Sequence, residues 1–247
     1  MPYEIQPSTK ILTSSLLSPF PTIIHGFTTR QHGDMTFTKS PHTVKNLFAS
    51  LQISSQFVGF QQVHKNTISV INTDTKAFIL PDSDGGVTSL AGIILGVRVA
   101  DCIPLLAFDP HKNIVGVAHA GWKGILQSIG TSLLDQMKGF HSDPADIRLV
   151  IGPHIGACCY TLYPERIQAF IKAFGEDPRM IYTTNNEDHI DLAYVLGKQC
   201  KEAGVLREHI DSFIFCTSCM KDMFYSFRRD KNTLEGEMLG FIGMKTI

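Results

Sequence analysis

The stretch GIILGVRVADCIPLLAFDPHKNIVGVAHAGWKG (residues 92–124) decides the fold class of this protein. Three runs rich in β-branched and other apolar residues, at 92–100, 103–109 and 113–120, are separated by short polar segments. This pattern is typical of successive β-strands. Helical periodicity follows at once, in residues 125–140. A strand-rich centre that passes into a helix predicts a sheet covered by helices.

The same two patterns recur on both sides of this stretch. Helical periodicity returns at 165–174, after Pro164, and at 191–204, where Gly204 is a suitable end. Further strand-like runs lie at 22–29, 56–63, 67–73, 147–152 and 212–217. No repeat, heptad run or linker divides the chain. We therefore predict one α+β domain over residues 1–247, with mixed β-sheet layers flanked by helices.

Composition narrows the classes of partner. The 247 residues are 43% hydrophobic and 18% charged, which is sufficient for a packed core. With 22 Lys and Arg against 23 Asp and Glu, the net charge of −1 offers no broad attraction for nucleic acid or an anionic membrane. No signal peptide or apolar run of about 18 residues is present. We expect a cytoplasmic protein with small-molecule partners and reduced cysteines, and the oligomeric state stays open.

Three segments place metal-binding side chains at the ends or edges of strands: QQVHKN with His64, RVADCIPLL with Cys102, and GVAHAGWKG with His119. Two imidazoles and one thiolate suit zinc, although copper binds such ligands more tightly. Three protein ligands leave a fourth position open, as in catalytic sites. Their spacing matches no compact motif, so the fold must bring them together. Cys102 and His119 could instead form a metal-free nucleophile and base pair.

Anion binding has three candidates. Lys123 lies in GWKG at a strand-to-helix junction, where free backbone N–H groups favour phosphate, although a solvated lysine is an equal alternative. Arg228 lies in FYSFRRD beside aromatic residues. Arg30, in TTR, is either an anion ligand or one half of a surface ion pair.

The remaining cysteines are interpreted as packed thiols. CTSC at 216–219 has metal-binding spacing, but no second CxxC is present to complete a four-thiolate site. Cys158 and Cys159 are adjacent, and neighbours on a strand point to opposite faces, so they make poor joint ligands.

Ordered motifs along nearly the whole chain resemble one known family, the YfiH-type laccase-domain proteins. These proteins were once called multicopper polyphenol oxidases and are now regarded as purine nucleoside phosphorylases. The motifs that carry the resemblance, in the family's order, are HGFTTR, QVH, DGGVTS, GVRVADCIPLLAFD, GVAHAGWKG, IGPHIGACCY, DLAYVLGKQC, and CT followed by FYSFRRD.

The resemblance implies an α-β-β-α sandwich and a zinc ion held by His64, Cys102 and His119. It also implies phosphorolysis of adenosine, inosine and methylthioadenosine to a free base and ribose 1-phosphate, with possible adenosine deamination. Purine nucleosides and phosphate are then the expected partners.

On that reading we assign provisional roles to the other polar residues. Lys123, Arg30 and Arg228 become predicted phosphate or sugar contacts. Asp101, or alternatively Asp84, is predicted to act as a general acid or base or to orient a ligand histidine, so Asp101 joins Cys102 and His119 in the predicted catalytic set.

One departure and two alternative functions qualify this reading. Glu235 stands where the family usually has an arginine, which puts specificity or rate in question. A copper-dependent polyphenol oxidase is the first alternative, but none of the ten histidines forms the His-x-His pair that a multicopper site needs. A metal-free cysteine hydrolase that uses Cys102 and His119 is the second.

Overall fold

A computed structural model describes residues 3–246; Met1, Pro2 and Ile247, at the two ends of the predicted domain, lie outside the described residues. The strands are β1 Tyr3–Ile5, β2 Leu12–Ser14, β3 Ile23–Phe27, β4 Gln56–Phe60, β5 Ile68–Val70, β6 Ile79–Leu80, β7 Gly85–Thr88, β8 Ile93–Val99, β9 Ile103–Asp109, β10 Ile114–Ala120, β11 Arg148–Ile151, β12 Ile181–Thr184, β13 Glu187–Ile190, β14 Ile210–Ser212 and β15 Met238–Met244. The helices are α1 Pro41–Ser50, α2 Trp122–Leu126, α3 Ile129–Lys138, α4 Pro164–Phe174, α5 Leu192–Glu202 and α6 Phe227–Asp230.

The strands form two large sheets and one hairpin. The first sheet has the order β1-β2-β3-β15-β8-β4-β6, the second has the order β14-β11-β9-β10-β7-β5, and β12 pairs with β13. Both large sheets are mixed, because β4 runs parallel to β8 while β15 runs antiparallel to it, and β11 runs parallel to β14 but antiparallel to β9. The predicted mixed sheets are confirmed.

Three apolar layers hold these elements together. Alternate residues of β9 face opposite ways: Leu106 and Phe108 pack between the sheets, whereas Leu105 and Ala107 pack under helices α3 and α5. Helix α1 packs through Phe48 on the outer face of the first sheet. A strand buried on both faces needs apolar residues at nearly every position, which explains the unbroken apolar run at 103–108. The α-β-β-α layering is confirmed.

Two predicted elements need correction, and one central strand was not predicted. The helix expected over 125–140 is divided into α2 and α3, because Ser128 adopts the left-handed region with φ 62°. The strand expected at 212–217 lies instead at Ile210–Ser212, and only Cys216 forms an isolated bridge beyond it. Strand β15 was not predicted, since its glycines and methionines weaken the β-branched signal.

Within residues 3–246, no helix combines the length and apolar character that crossing a membrane would require.

His25 links the stability of the fold to pH. It is buried on β3, and its Nε2 accepts a hydrogen bond of 3.0 Å from the backbone N–H of Ser14. Burial lowers the pKa of His25 to about 4. In the unfolded chain the ordinary pKa is about 6.5, so the unfolded state binds more protons between these values. This contribution is present above pH 6.5 and is lost as pH falls towards 4.

We therefore expect the free energy of unfolding to fall by up to about 3 kcal/mol through this group as pH drops from 7 to 4. Urea unfolding at several pH values measures the loss. His25→Asn is expected to flatten this part of the profile, whereas His111→Asn, at an exposed histidine, leaves it unchanged. Identical profiles for wild type and His25→Asn would contradict the assignment.

Candidate active site

The predicted metal ligands meet at one edge of the sandwich. His64 lies in the loop after β4, Cys102 in the turn between β8 and β9, and His119 near the end of β10. Because β8 belongs to the first sheet and β10 to the second, the site lies where the two sheets adjoin. The Cys102 Sγ and one ring nitrogen of each histidine all lie within 4.8 Å of one another. The two imidazole rings are perpendicular, with centroids 4.7 Å apart.

Asp84 orients His119 from behind. The side chain of Asp84 is fully buried, and its Oδ1 accepts a hydrogen bond of 2.9 Å from Nδ1 of His119. Burial opposes ionisation of Asp84, but the bonds from His119 and the backbone lower its pKa, so the carboxylate is charged. Since Nδ1 donates to this carboxylate, Nε2 of His119 is the nitrogen that can bind a metal.

The same carboxylate shapes the loop that carries His64. Backbone N–H groups of Val63, His64 and Lys65 donate to Asp84 over 3.2, 2.9 and 2.8 Å. Gln62 and His64 both adopt the left-handed backbone region, with φ of 62° and 59°. This conformation is uncommon for residues other than glycine, and three converging hydrogen bonds to one buried charge stabilise it. Asp84 therefore positions two of the three candidate ligands.

Cys102 and His119 favour each other's charged forms. Burial opposes charge on both side chains, but the positive His119 lowers the pKa of Cys102 to about 7, and the Cys102 thiolate with Asp84 raises the pKa of His119 to about 9. A thiolate is thus available near neutral pH, as a metal ligand or a nucleophile requires.

Gly121 allows the close approach of the chain to this group. A Cβ atom at position 121 would lie 3.0 Å from the Cys102 Sγ and 3.4 Å from Cδ2 of His64. The glycine of HAGW is therefore needed for space, because its backbone φ of −80° is open to any residue.

A cavity of about 600 Å³ opens beside the three ligands. Aromatic rings of Trp122, Tyr160 and Phe227 line it, together with the guanidinium groups of Arg98, Arg166 and Arg228. Burial and the nearby Cys102 charge raise the pKa of Tyr160 to about 12, so its phenol stays a hydrogen-bond donor. The cavity thus combines aromatic surface with positive charge next to the candidate metal group.

The cavity includes some predicted contacts and leaves out others. Arg228 and Asp101 line it. Both carboxylate oxygens of Asp101 are engaged at 2.6 Å, one by the Thr217 hydroxyl and one by the backbone N–H of Arg228. A proton-transfer role for Asp101 stays a prediction, while these bonds show that it fixes the segment that carries Arg228.

Arg30 and Lys123 lie outside the cavity wall. The guanidinium of Arg30 forms an ion pair of 2.8 Å with Glu235 and donates to the carbonyl of Lys221. Lys123 is exposed, with its Nζ 5.6 Å from the centre of the Trp122 ring. Contacts of Arg30 and Lys123 with substrate stay predictions. For Arg30, the ion pair with Glu235 agrees with the alternative predicted from the sequence, a surface ion pair.

Sequence reasoning missed Arg98 and Arg166. Nη1 of Arg98 pairs with Glu237 at 3.0 Å, whereas Arg166 lies 4.4 Å from the Trp122 ring centre and forms no ion pair within residues 3–246. A charged residue inside the apolar run of β8 could have drawn attention to Arg98. No sequence signal distinguishes Arg166 from other surface arginines on an amphipathic helix.

Comparison with known proteins gives a matching family model and several similar proteins. A family model described as multi-copper polyphenol oxidoreductase laccase matches residues 25–245. Purine nucleoside phosphorylase YlmD of Bacillus subtilis is 37% identical over 169 residues, which cover 67% of this chain and 60% of that protein. The match thus spans less than two thirds of that relative's length. Adenosine deaminase RL5, from an unknown prokaryotic organism, is 29% identical over 178 residues, or 68% of each chain.

A solved structure agrees in fold. The crystal structure of the Bacillus licheniformis hypothetical protein YfiH superposes with a TM-score of 0.88 at 28% identity, over 99% of both chains.

Proposed function

The chain belongs to the multi-copper polyphenol oxidoreductase laccase family, and from that premise we propose that it is a zinc-dependent purine nucleoside phosphorylase. It would cleave adenosine, inosine and methylthioadenosine with phosphate to a free base and ribose 1-phosphate. One observation carries the proposal: a metal-binding group opens into a cavity of about 600 Å³ that holds both aromatic rings and guanidinium groups. The name of the Bacillus relative supports it.

The donor set fits zinc. Two imidazoles and a thiolate within 4.8 Å leave a fourth position towards the cavity. A zinc ion held by His64, Cys102 and His119 would supply Lewis acidity and positive charge at this edge of the cavity. The Asp84 carboxylate keeps His119 in the tautomer whose Nε2 faces the ion.

The rest of the cavity suits the two substrates. A purine can stack on the exposed ring of Phe227, because the guanidinium groups of Arg166 and Arg228 already lie over the rings of Trp122 and Tyr160. Arg228 is held rigid by hydrogen bonds to Thr161 and can direct its charge at an anion. Arg166 has no carboxylate partner among the described residues, so its charge is available for phosphate.

The decisive test is product analysis. Zinc-analysed protein is incubated with adenosine, with and without phosphate, and the products are separated by chromatography. Adenine and ribose 1-phosphate that form only with phosphate would support phosphorolysis. If protein with stoichiometric zinc forms neither adenine nor inosine, the nucleoside reading fails for this chain.

A kinetic variant tests the phosphate site. We expect Arg166→Ala to raise the KM for phosphate by about 10- to 100-fold, because a charged hydrogen bond contributes roughly 1.5–3 kcal/mol. The KM for adenosine should change less. Arg179→Ala is the matched control, since Arg179 is exposed and pairs with Asp177. An unchanged phosphate KM in Arg166→Ala would remove this residue from the phosphate site.

Adenosine deamination is a second activity that we propose for the same cavity, and the name of the RL5 relative supports it. Inosine that forms from adenosine in the absence of phosphate would identify deamination in the same experiment.

A metal-free cysteine hydrolase is the competing function, because Cys102, His119 and Asp84 are also arranged as a nucleophile, a base and an orienting carboxylate, in that order. A chelator should leave such a hydrolase active, whereas alkylation of Cys102 should stop it. A multicopper oxidase fits the structure less well, because it needs further copper sites built from histidines. Within residues 3–246, the other cluster that could bind a metal has four cysteines and no histidine.

A further inference from the structure

A second cluster of sulfur atoms lies outside the candidate active site. The Sγ atoms of Cys158, Cys159, Cys216 and Cys219 all lie within 4.8 Å of one another. The Cys158–Cys159, Cys158–Cys219 and Cys159–Cys219 pairs are 3.8, 3.6 and 3.3 Å apart. All four thiols are free, and these distances are far longer than a disulfide bond of about 2.05 Å.

This arrangement corrects the interpretation of these cysteines as separately packed thiols. Cys158 and Cys159 lie in a turn rather than a strand, closed by a bond of 3.0 Å from the backbone N–H of Cys159 to the carbonyl of Gly156. The alternation of side chains along a strand therefore does not apply to them. The adjacent pair supplies the two sulfurs that the Cys-x-x-Cys of residues 216–219 lacks.

The fold brings the two segments together without help from the sulfurs. They follow β11 and β14, which are parallel neighbours, so both leave the sheet at the same end. Beyond the strands the segments stay paired: the backbone N–H of His154 donates to the carbonyl of Phe215 at 3.3 Å, and that of Thr217 donates to the carbonyl of His154 at 3.0 Å. The cluster is thus a product of sheet topology.

We propose that Cys158, Cys159, Cys216 and Cys219 bind a structural zinc ion. Zinc–sulfur bonds of about 2.3 Å in a tetrahedron place the sulfurs about 3.8 Å apart. The three separations given above lie between 3.3 and 3.8 Å, so only small shifts are needed. Four thiolates complete the coordination and leave no position for a substrate, which separates this site in kind from the open one at His64, Cys102 and His119.

The surroundings of the cluster stabilise a thiolate at Cys216 and fix the turn that carries Cys219. The backbone N–H of Gly156 donates to Cys216 Sγ at 3.2 Å, and such a bond strengthens when the sulfur is charged. The guanidinium of Arg229 binds the carbonyls of Thr217 and Ser218 at 2.9 and 3.1 Å. These two contacts hold the turn between Cys216 and Cys219 in the shape that points both sulfurs at the same spot.

The four-cysteine zinc site would stabilise one wall of the active-site cavity. Cys159 precedes Tyr160, which lines the cavity, and the carbonyl of Cys159 accepts from Nη1 of Arg228 at 3.4 Å. A zinc ion that joins the two turns would therefore fix Tyr160 and Arg228 relative to the metal ligands of the active site. Its loss should raise the KM values more than it lowers kcat.

Metal analysis of two variants tests the proposal. Protein is prepared with reductant and a slight excess of zinc and is then desalted. We expect about two zinc ions per wild-type chain, about one in Cys102→Ser, and about one in the Cys158→Ser/Cys219→Ser double variant. X-ray absorption at the zinc edge of Cys102→Ser should show four sulfur ligands at about 2.3 Å. Because this readout is metal content, it is decided separately from phosphorolysis.

Two features of the variants keep the zinc counts interpretable. Cys158 and Cys219 are exposed, so the fold should tolerate serine at both positions. Cys200→Ala is the control: it removes a buried thiol outside both clusters and should keep both zinc ions. Cys102→Ser protein that has free thiols and binds no zinc would overturn the proposal. So would nitrogen or oxygen ligands in its absorption spectrum, iron on the same four sulfurs, or disulfides among these cysteines in the reduced preparation.

Discussion

Cys102→Ser is expected to reduce phosphorolysis by about 1,000-fold or more, which corresponds to roughly 4 kcal/mol of lost transition-state stabilisation. Serine keeps the size of the side chain but is not ionised near neutral pH, whereas the pKa of Cys102 is about 7. The variant therefore loses the only sulfur of the open metal group. Steady-state kinetics with adenosine and phosphate, together with zinc analysis, measures both effects.

Cys200→Ala is the control for removal of a thiol. Burial raises the pKa of Cys200 to about 12, and the residue lies on α5 and packs in the core against α3, so it is neither a nucleophile nor a ligand. Full phosphorylase activity in Cys102→Ser with one zinc ion missing would contradict the active-site assignment. If wild-type activity resists a chelator and is lost on alkylation, the hydrolase reading replaces it.

Asp84→Asn is expected to lower zinc affinity at the active site and activity by about 10- to 100-fold each, as is usual when a group that orients a ligand is removed. Asparagine has nearly the same shape, but its amide has one acceptor oxygen in place of the two that bind Val63, His64, Lys65 and His119. Its NH₂ group would face N–H donors. We also expect a loss of about 2–4 kcal/mol in the free energy of unfolding.

Asp109→Asn provides a matched control. Asp109 is also fully buried and accepts bonds from the backbone N–H groups of His111 and Lys112, but it lies at the far end of β9 from Cys102. Chelator competition and urea unfolding are measured on both variants. If the two lose equal stability and both keep their zinc affinity, Asp84 is a structural residue and does not tune the metal site.

The sequence could predict that the three candidate ligands come together because each lies beside a recognisable strand. β8, β9 and β10 are buried on both faces, so their apolar runs define the ends at which Cys102 and His119 lie. Sequence reasoning named Asp84 only as the alternative to Asp101 for orienting a ligand histidine, since the convergence of three backbone N–H groups on the Asp84 carboxylate depends on left-handed residues in a loop.

Tertiary contacts explain the other differences. Arg30 and Glu235 were considered separately in the sequence, yet they form an ion pair outside the cavity. The four-cysteine cluster joins segments about 60 residues apart through parallel strand pairing, which local periodicity does not reveal. Arg166 faces the cavity only because of how α4 packs against α2 and β13.

The position of β15 has a consequence for biosynthesis. This strand joins β3 to β8 at the centre of the first sheet, although it is translated about 210 residues after β3. At roughly 5–20 residues per second, the ribosome needs about 10–40 s to make the intervening chain. Until then β3 and β8 each present an unpaired edge, the kind of surface that promotes aggregation. The first sheet therefore cannot close until β15 has been made, and chaperones have that interval in which to cover the unpaired edges of β3 and β8.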